Sequence, residues 1–369
     1  MRFHRTRVLG AFALALALAG GLGAPASAQD PAAPEPLTIR FGQLPYLDYA
    51  PWALAEAKGF LAEEGITLDK ATFEVEQPMY EAMLGGSIDV GDSGDTPFIL
   101  AAAKAPELRL ITLTNIFAGY SIMARPDDGY ITYEQAFEAN GGDREAALAE
   151  VAGQLAGKTI ILPGGASFTP VLDTALGYAG LTRDDMTILD LDPVEGAAAF
   201  IQGEADFYSD GLPQRFRLEQ EGMVNILTGP QLAGGAMDLA GLGTTQAFLD
   251  AHPDAPVRML RAWYKAIDFL RSNEAEALQV MSDWINEQSG AGFTPDDAKR
   301  FLTDLVIVPT LEESGPLFWT DPASPFYNQT RLQFVVDYFG KAEGLDTTAI
   351  DLETLVPAPA YFTELTAAE

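Results

Sequence analysis

Apolar residues along this chain follow two spacings in turn. Leu37–Gln43 is a short apolar run of the kind that fills a buried strand; Pro51–Leu61 then repeats its apolar positions at helical intervals and stops at Gly65. Ile66–Phe73 reads as a second strand, Met79–Leu84 as a helix ended by Gly85-Gly86, and Ile88–Val90 as a further strand. Strands separated by helices predict an α/β fold with a mainly parallel sheet, because parallel neighbours need a crossover to join them. Leu108–Arg125 is a longer apolar stretch suited to crossing from one lobe to another, with Ala240-Gly241-Leu242-Gly243 as the matching return. From Thr244 onward the pattern is mostly helical, including Val257–Arg271, and this remainder is expected to pack back on the first lobe.

The same order returns later in the chain. Thr38-Ile39 matches Thr159-Ile160, Gly59 matches Gly180 and Leu68 matches Leu189, all at one offset of 121 residues. Gly86-Ser-Ile-Asp89 matches Gly203-Glu-Ala-Asp206 at an offset of 117. Each of these segments runs through two residues into a polar turn, Asp92-Ser93-Gly94 or Ser209-Asp210-Gly211. Four matches in one order predict two homologous α/β lobes, 37–118 plus 242–369 and 119–241. Ligands of open α/β sheets sit beyond the carboxyl ends of the strands, near helix N-termini. Two such lobes facing each other therefore make a cleft with matched polar rims.

Ahead of the first strand the composition changes. Arg2, Arg5 and Arg7 precede an apolar run from Val8 to Leu22, and Ala26-Ser27-Ala28 supplies small residues for cleavage, which predicts a removable export signal over 1–28. The apolar run is shorter than the roughly 20 residues that span a bilayer. An Ala/Pro-rich leader, 29–36, reads as a disordered spacer. Export of this kind implies an oxidising compartment, in which this fold must stand without disulfides. The whole chain has 22 basic and 53 acidic residues; without the signal, 19 face 53, a net charge of −34. A field of that sign repels nucleic acid and anionic membrane, and otherwise reads as a solvated acidic surface. With no cysteine there is no disulfide, lipid anchor or thiol nucleophile. With His252 the one histidine past the signal, a serine triad or His-rich zinc site would have to be built around a loop residue just before a helix.

Phe41-Gly-Gln-Leu-Pro-Tyr-Leu-Asp-Tyr-Ala-Pro-Trp52, followed by Ala55-Glu-Ala-Lys-Gly-Phe-Leu-Ala-Glu-Glu-Gly-Ile66, resembles the opening of ABC-transporter substrate-binding proteins of the nitrate/sulfonate/taurine and thiamine-precursor type. Ala82-Met-Leu-Gly-Gly-Ser-Ile-Asp-Val-Gly91, Ala156-Gly-Lys-Thr-Ile160 and the stretch Ala197–Asp206 resemble later landmarks of that family, and the likeness runs from Leu37 to Phe269. Asp127–Ala152 is longer than the family's usual connector. The resemblance implies a type II periplasmic binding protein that closes on a small solute as a monomer, delivers it to a membrane permease, and uses no cofactor. Carried onto this chain, the family's contact regions supply Gln43, Tyr46, Asp48, Tyr49 and Trp52 after the first strand. They also supply Asp92, Ser93, Asp95 and Thr96 in the turn after Asp89, and Asn115 in the crossing strand. From the second lobe come Ser167, Phe168 and Thr169 at a helix start, with Glu195 and Asp210 in matching segments.

Several of these residues carry more than one meaning. Pro163–Pro170 is a Gly-rich loop running into a helix, able to hold an anion on its free N–H groups or simply to cap its own helix through Ser167 or Thr169. Tyr46, Tyr49 and Trp52 suit cleft walls facing an apolar body or a cation, or else core positions. The acids Asp92, Asp95 and Asp210 are unexpected in an anion receptor and point to a solute with a protonated amine or several donors. A metal on Asp92 and Asp95 lacks the ligand count that calcium requires. Two other functions remain open: a hydrolase working through paired carboxylates across the cleft, and a receptor signalling to a sensor instead of a transporter.

Overall fold

The computed structural model describes residues 35–163, 168–232, 237–342 and 344–367. The expected export signal, most of the spacer, and Ser167 lie outside the described residues. The first sheet contains β1 (Leu37–Gln43), β2 (Ile66–Thr72), β3 (Val90–Gly94), β4 (Leu108–Phe117), β10 (Asp238–Thr245) and β11 (Val306–Ile307), in the order β11-β4-β10-β3-β1-β2. The second contains β5 (Ser121–Ala124), β6 (Thr159–Leu162), β7 (Thr187–Asp190), β8 (Phe207–Asp210) and β9 (Val224–Thr228), in the order β7-β6-β8-β5-β9.

The two sheets repeat one plan. β1 pairs parallel with β2 and β3, and β6 pairs parallel with β7 and β8. In each lobe the strand that follows a crossing is inserted antiparallel against the third of these, β10 on β3 and β5 on β8. The sequence matches mark equivalent positions. Gly86 and Gly203 both adopt the left-handed conformation, with φ of 75° and 87°, which favours glycine. The aspartates three residues on, Asp89 and Asp206, each accept a backbone N–H from the first strand of their own lobe, Arg40 and Thr159, at 2.9 Å.

The outward crossing is Ala118-Gly119-Tyr120, between β4 and β5. Ala240–Gly243, expected as the return crossing, instead lie within β10, and the chain enters the first sheet at Asp238. Gly241 suits this position: a Cβ there would sit 2.0 Å from the Thr112 carbonyl oxygen. Asp92-Ser93 and Ser209-Asp210, expected as turns, are strand residues of β3 and β8.

Four helices line the space between the lobes, α2 (Glu76–Leu84), α3 (Asp95–Ala102), α4 (Phe168–Tyr178) and α5 (Asn328–Ala342), while α1 (Pro51–Ala57) packs in the first lobe's core. Proline at the first position of α1 suits a helix start, where no N–H partner is needed. Trp52 on α1 packs its ring 4.7 Å from Trp263, which is fully buried. On the far side of the crossing, Phe216 stacks on Phe293 at 4.1 Å and meets Phe301 edge-on at 5.6 Å. Asp127–Ala152, long for a connector, folds into helices Tyr133–Ala139 and Arg144–Gly153, capped by Thr132 and Asp143.

Candidate functional site

Between the lobes lies a cavity of about 50 Å³. The first lobe supplies Tyr46, Asp48 and Tyr49 from the loop after β1, Glu76 from the first turn of α2, and Asp238 and Ala240 from β10. Phe117 comes from the end of β4 and Tyr120 from the crossing; Phe168 from α4, and Asp210, Gly211 and Leu212 from the end of β8, close it from the second lobe. The aromatic walls are fixed against one another. Tyr120 stands edge-on between Phe117 and Phe168, with centroids 4.8 and 5.2 Å away, and Tyr46 lies 6.5 Å from Tyr49. The Tyr46 hydroxyl donates to the Glu74 carbonyl at 2.7 Å, and the Tyr120 hydroxyl to Asp238 Oδ2 at 2.9 Å.

Four buried carboxyls, Asp48, Glu76, Asp210 and Asp238, face this space without a cation among its described lining residues. Burial pushes Asp48 up to about 7 from the usual carboxylate range, opposed by its own backbone N–H and Asn115 and reinforced by the charge of Glu76. Burial likewise pushes Glu76 and Asp210 up to about 7. Asp210 shows why the protonated form fits. The Tyr208 hydroxyl lies 2.9 Å from the Pro193 carbonyl and 2.5 Å from Asp210 Oδ2, but it has one proton to give. The carbonyl can only accept, so both contacts are satisfied when a protonated Asp210 donates to Tyr208. Asp210 Oδ1 accepts the Gly211 N–H at 2.7 Å.

Of the residues expected at a ligand, Tyr46, Asp48, Tyr49, Phe168 and Asp210 come together here. The others lie elsewhere, each for a visible reason. Gln43 bonds Thr72 at 2.7 Å and Gln288 at 2.9 Å along the edge of the sheet. Trp52 is in the core beside Trp263. Asp92 lies under the loop after β1, accepting the Leu44 N–H at 2.9 Å, and burial pushes its pKa well up. Ser93 bonds the Tyr80 hydroxyl. Asn115 stands behind the cavity, donating to the Asp48 carbonyl at 3.3 Å. Glu195 is exposed in the first turn of its helix. Thr169 faces a neighbouring groove.

Asp95 lies at the start of α3 outside the cavity lining, after the N-cap Gly94. Arg331 from α5 grips it, Nε to Oδ2 at 2.5 Å and Nη2 to Oδ1 at 3.3 Å, and lies 3.6 Å from Asp238 Oδ1. Although burial acts the other way, Arg331 and hydrogen bonds from Asp238 and Thr96 hold the Asp95 carboxyl below the usual range. Thr96 donates to Asp95 at 3.2 Å. Arg331 was not legible as a site residue, since it lies 236 positions from its partner. Glu76 had a signal: its helix precedes β3 as the helix carrying Glu195 precedes β8, but the helix begins at Glu76 and not at Met79. His252 ends a helix at Val257's approach, its ring 5.1 Å from Phe248, away from the cavity. Among the described residues no group of three or more side chains is placed to hold a metal ion, and no helix is long and apolar enough to cross a membrane.

Two α/β lobes of one strand order, joined by crossings beside an enclosed acidic and aromatic cavity, define a type II periplasmic-binding-protein fold. The chain belongs to the NMT1-like family, whose model matches residues 32–286. It is 26% identical over 243 residues to a Bacillus subtilis (strain 168) protein named as an aliphatic sulfonates-binding protein; the match covers 63% of this chain and 66%, just under two thirds, of that protein's length. In structure it resembles the alkanesulfonate-binding protein SsuA from Xanthomonas axonopodis pv. citri bound to MOPS, with a TM-score of 0.64 and 20% identity, covering 88% of this chain and 99% of that one. The fold is shared with an enzyme as well: the desulfurization enzyme DSZB gives a TM-score of 0.61 at 14% identity over 90% of this chain and 99% of that one.

Proposed function

We propose that this chain is the periplasmic solute receptor of an ABC importer, and that its solute presents a protonated amine to Asp48, Glu76 and Asp210. The observation that carries the reading is the cavity itself: four buried carboxyls (Asp238 among them, bonded by Tyr120) and five aromatic rings with no basic side chain among the described lining residues. An ammonium group offers each carboxylate a charge-assisted hydrogen bond and faces the rings favourably. A sulfonate there would meet like charge or a proton already committed to Tyr208. The sulfonate-named relatives support the receptor role and leave the head group to be decided by this chain's own residues.

The test is calorimetric titration with amino acids, taurine, aminopyrimidines, alkyl sulfonates and aromatic acids. Amine-bearing solutes are expected to bind, and Asp210→Asn to weaken them by roughly 30-fold or more, since truncating one partner of a buried charge pair costs about 2–5 kcal/mol. Unchanged affinity in that variant, or binding confined to anions, overturns the amine reading. Carboxyls near 7 also suit general-acid chemistry, so turnover of a glycoside would displace the receptor reading in favour of a hydrolase.

A further inference from the structure

The acidic cavity is too small to hold an organic solute alone. Its volume of about 50 Å³ suits a head group, whereas sites for small molecules run to about 300–1,000 Å³. Alongside it lies a groove of about 570 Å³, also walled by both lobes. The two spaces share their walls. α2 gives Glu76 to the cavity and Gln77 and Tyr80 to the groove, while α4 gives Phe168 to the cavity and Thr169 and Leu172 to the groove. Its apolar lining includes Leu84 and Leu100 from the first lobe, Leu162 and Ile188 from the second, and Phe339 from α5. Its charged residues are two acids and two bases, Glu81, Asp190, Lys104 and Arg183, so it makes no net demand on the charge of what lies in it.

We propose that the solute spans both spaces, with an ammonium head in the cavity and an unbranched apolar body of several carbons in the groove between α2 and α4. This rests on the head-group reading above and adds the shape and polarity of the rest of the molecule. Closure of the lobes then buries the body between aliphatic side chains of both, so affinity grows with its length.

The experiment is titration of the full mature chain with n-propyl-, n-hexyl- and n-octylammonium, and with alkanesulfonates of the same lengths. Each buried methylene is expected to tighten ammonium binding roughly fourfold. In Ala101→Phe, where a ring projects into the groove, the gain per methylene is expected to fall below twofold. Ammonium binding that does not change with length overturns this inference and leaves the head-group reading standing. An equal gain in the wild-type chain and in Ala101→Phe overturns it too, by placing the chain somewhere else on the surface. A length-dependent series for sulfonates alone, or no binding of any ammonium, overturns both.

Discussion

Acidifying the solute-free protein from about pH 8 to about pH 5 is expected to stabilise it, the reverse of the usual response of a carboxylate-rich chain. In the folded protein Asp48, Glu76 and Asp210 titrate at about 7, against 3.8, 4.5 and 3.8 for the same groups in solution. Between those values the folded chain holds protons that the unfolded chain has released, so unfolding stability falls as pH rises through the folded pKa. A displacement of about three pH units corresponds to roughly 4 kcal/mol for one buried carboxyl when fully expressed. Across pH 8 to 5 the share expressed is roughly 2–3 kcal/mol per group by linkage. Opposing groups act lower: Asp89, Asp95 and Asp206 are held below the usual range and lose their contribution only as pH falls through the ordinary carboxylate region. Urea midpoints at four pH values, for the wild-type chain and for Asp210→Asn, measure the effect. The variant is expected to gain roughly 2–3 kcal/mol less on acidification. A wild-type chain that weakens steadily from pH 8 to 5, or an Asp210→Asn slope equal to the wild-type slope, refutes the protonated cavity.

Binding of an amine is expected to expel protons from the same three carboxyls, so titration enthalpies should vary with the ionisation enthalpy of the buffer at pH 7; buffer-independent enthalpies would mean the acids are already ionised. Asp95→Asn leaves the Arg331 guanidinium without its main buried partner and is expected to lower stability by about 3–5 kcal/mol, read from the denaturant midpoint. With 53 acidic residues against 22 basic, melting temperature is expected to rise in about 1 M salt as self-repulsion is screened; a salt-independent melting point would show the surface charge to be neutral for stability.

The repeat was legible because its marks are local. Gly86 and Gly203 answer a backbone conformation that few other residues accept, and the neighbouring aspartates bond the first strand of their own lobe. The polar pair that follows was misread through its order. At the repeat's offset, Asp210 aligns with Ser93 and Asp92 with Ser209. Successive strand residues face opposite sides of a sheet, so a shift of one position sends the side chain to the other face. Asp210 therefore reaches the cavity while Asp92 points beneath the Leu44 loop. Acidity was visible in the sequence, whereas its neutralisation was not: Asp95 resembles the other acids until α5 brings Arg331 against it. Glu76 and Asp238 were missed for the related reason that each is set at the cavity by the start of its element, and element ends are what periodicity fixes least well.

The inserted strands also govern the order in which the protein can fold as it is made. Every strand of the second sheet falls within Ser121–Thr228, one continuous stretch, so that lobe can form as soon as it leaves the ribosome. The first sheet cannot. Its β3 and β4 are joined only through β10, and until Asp238–Thr245 has been synthesised both present unpaired edges. The half of the molecule that is translated first is therefore the half that is completed last, and for more than a hundred residues of synthesis its apolar edges need protection from other chains.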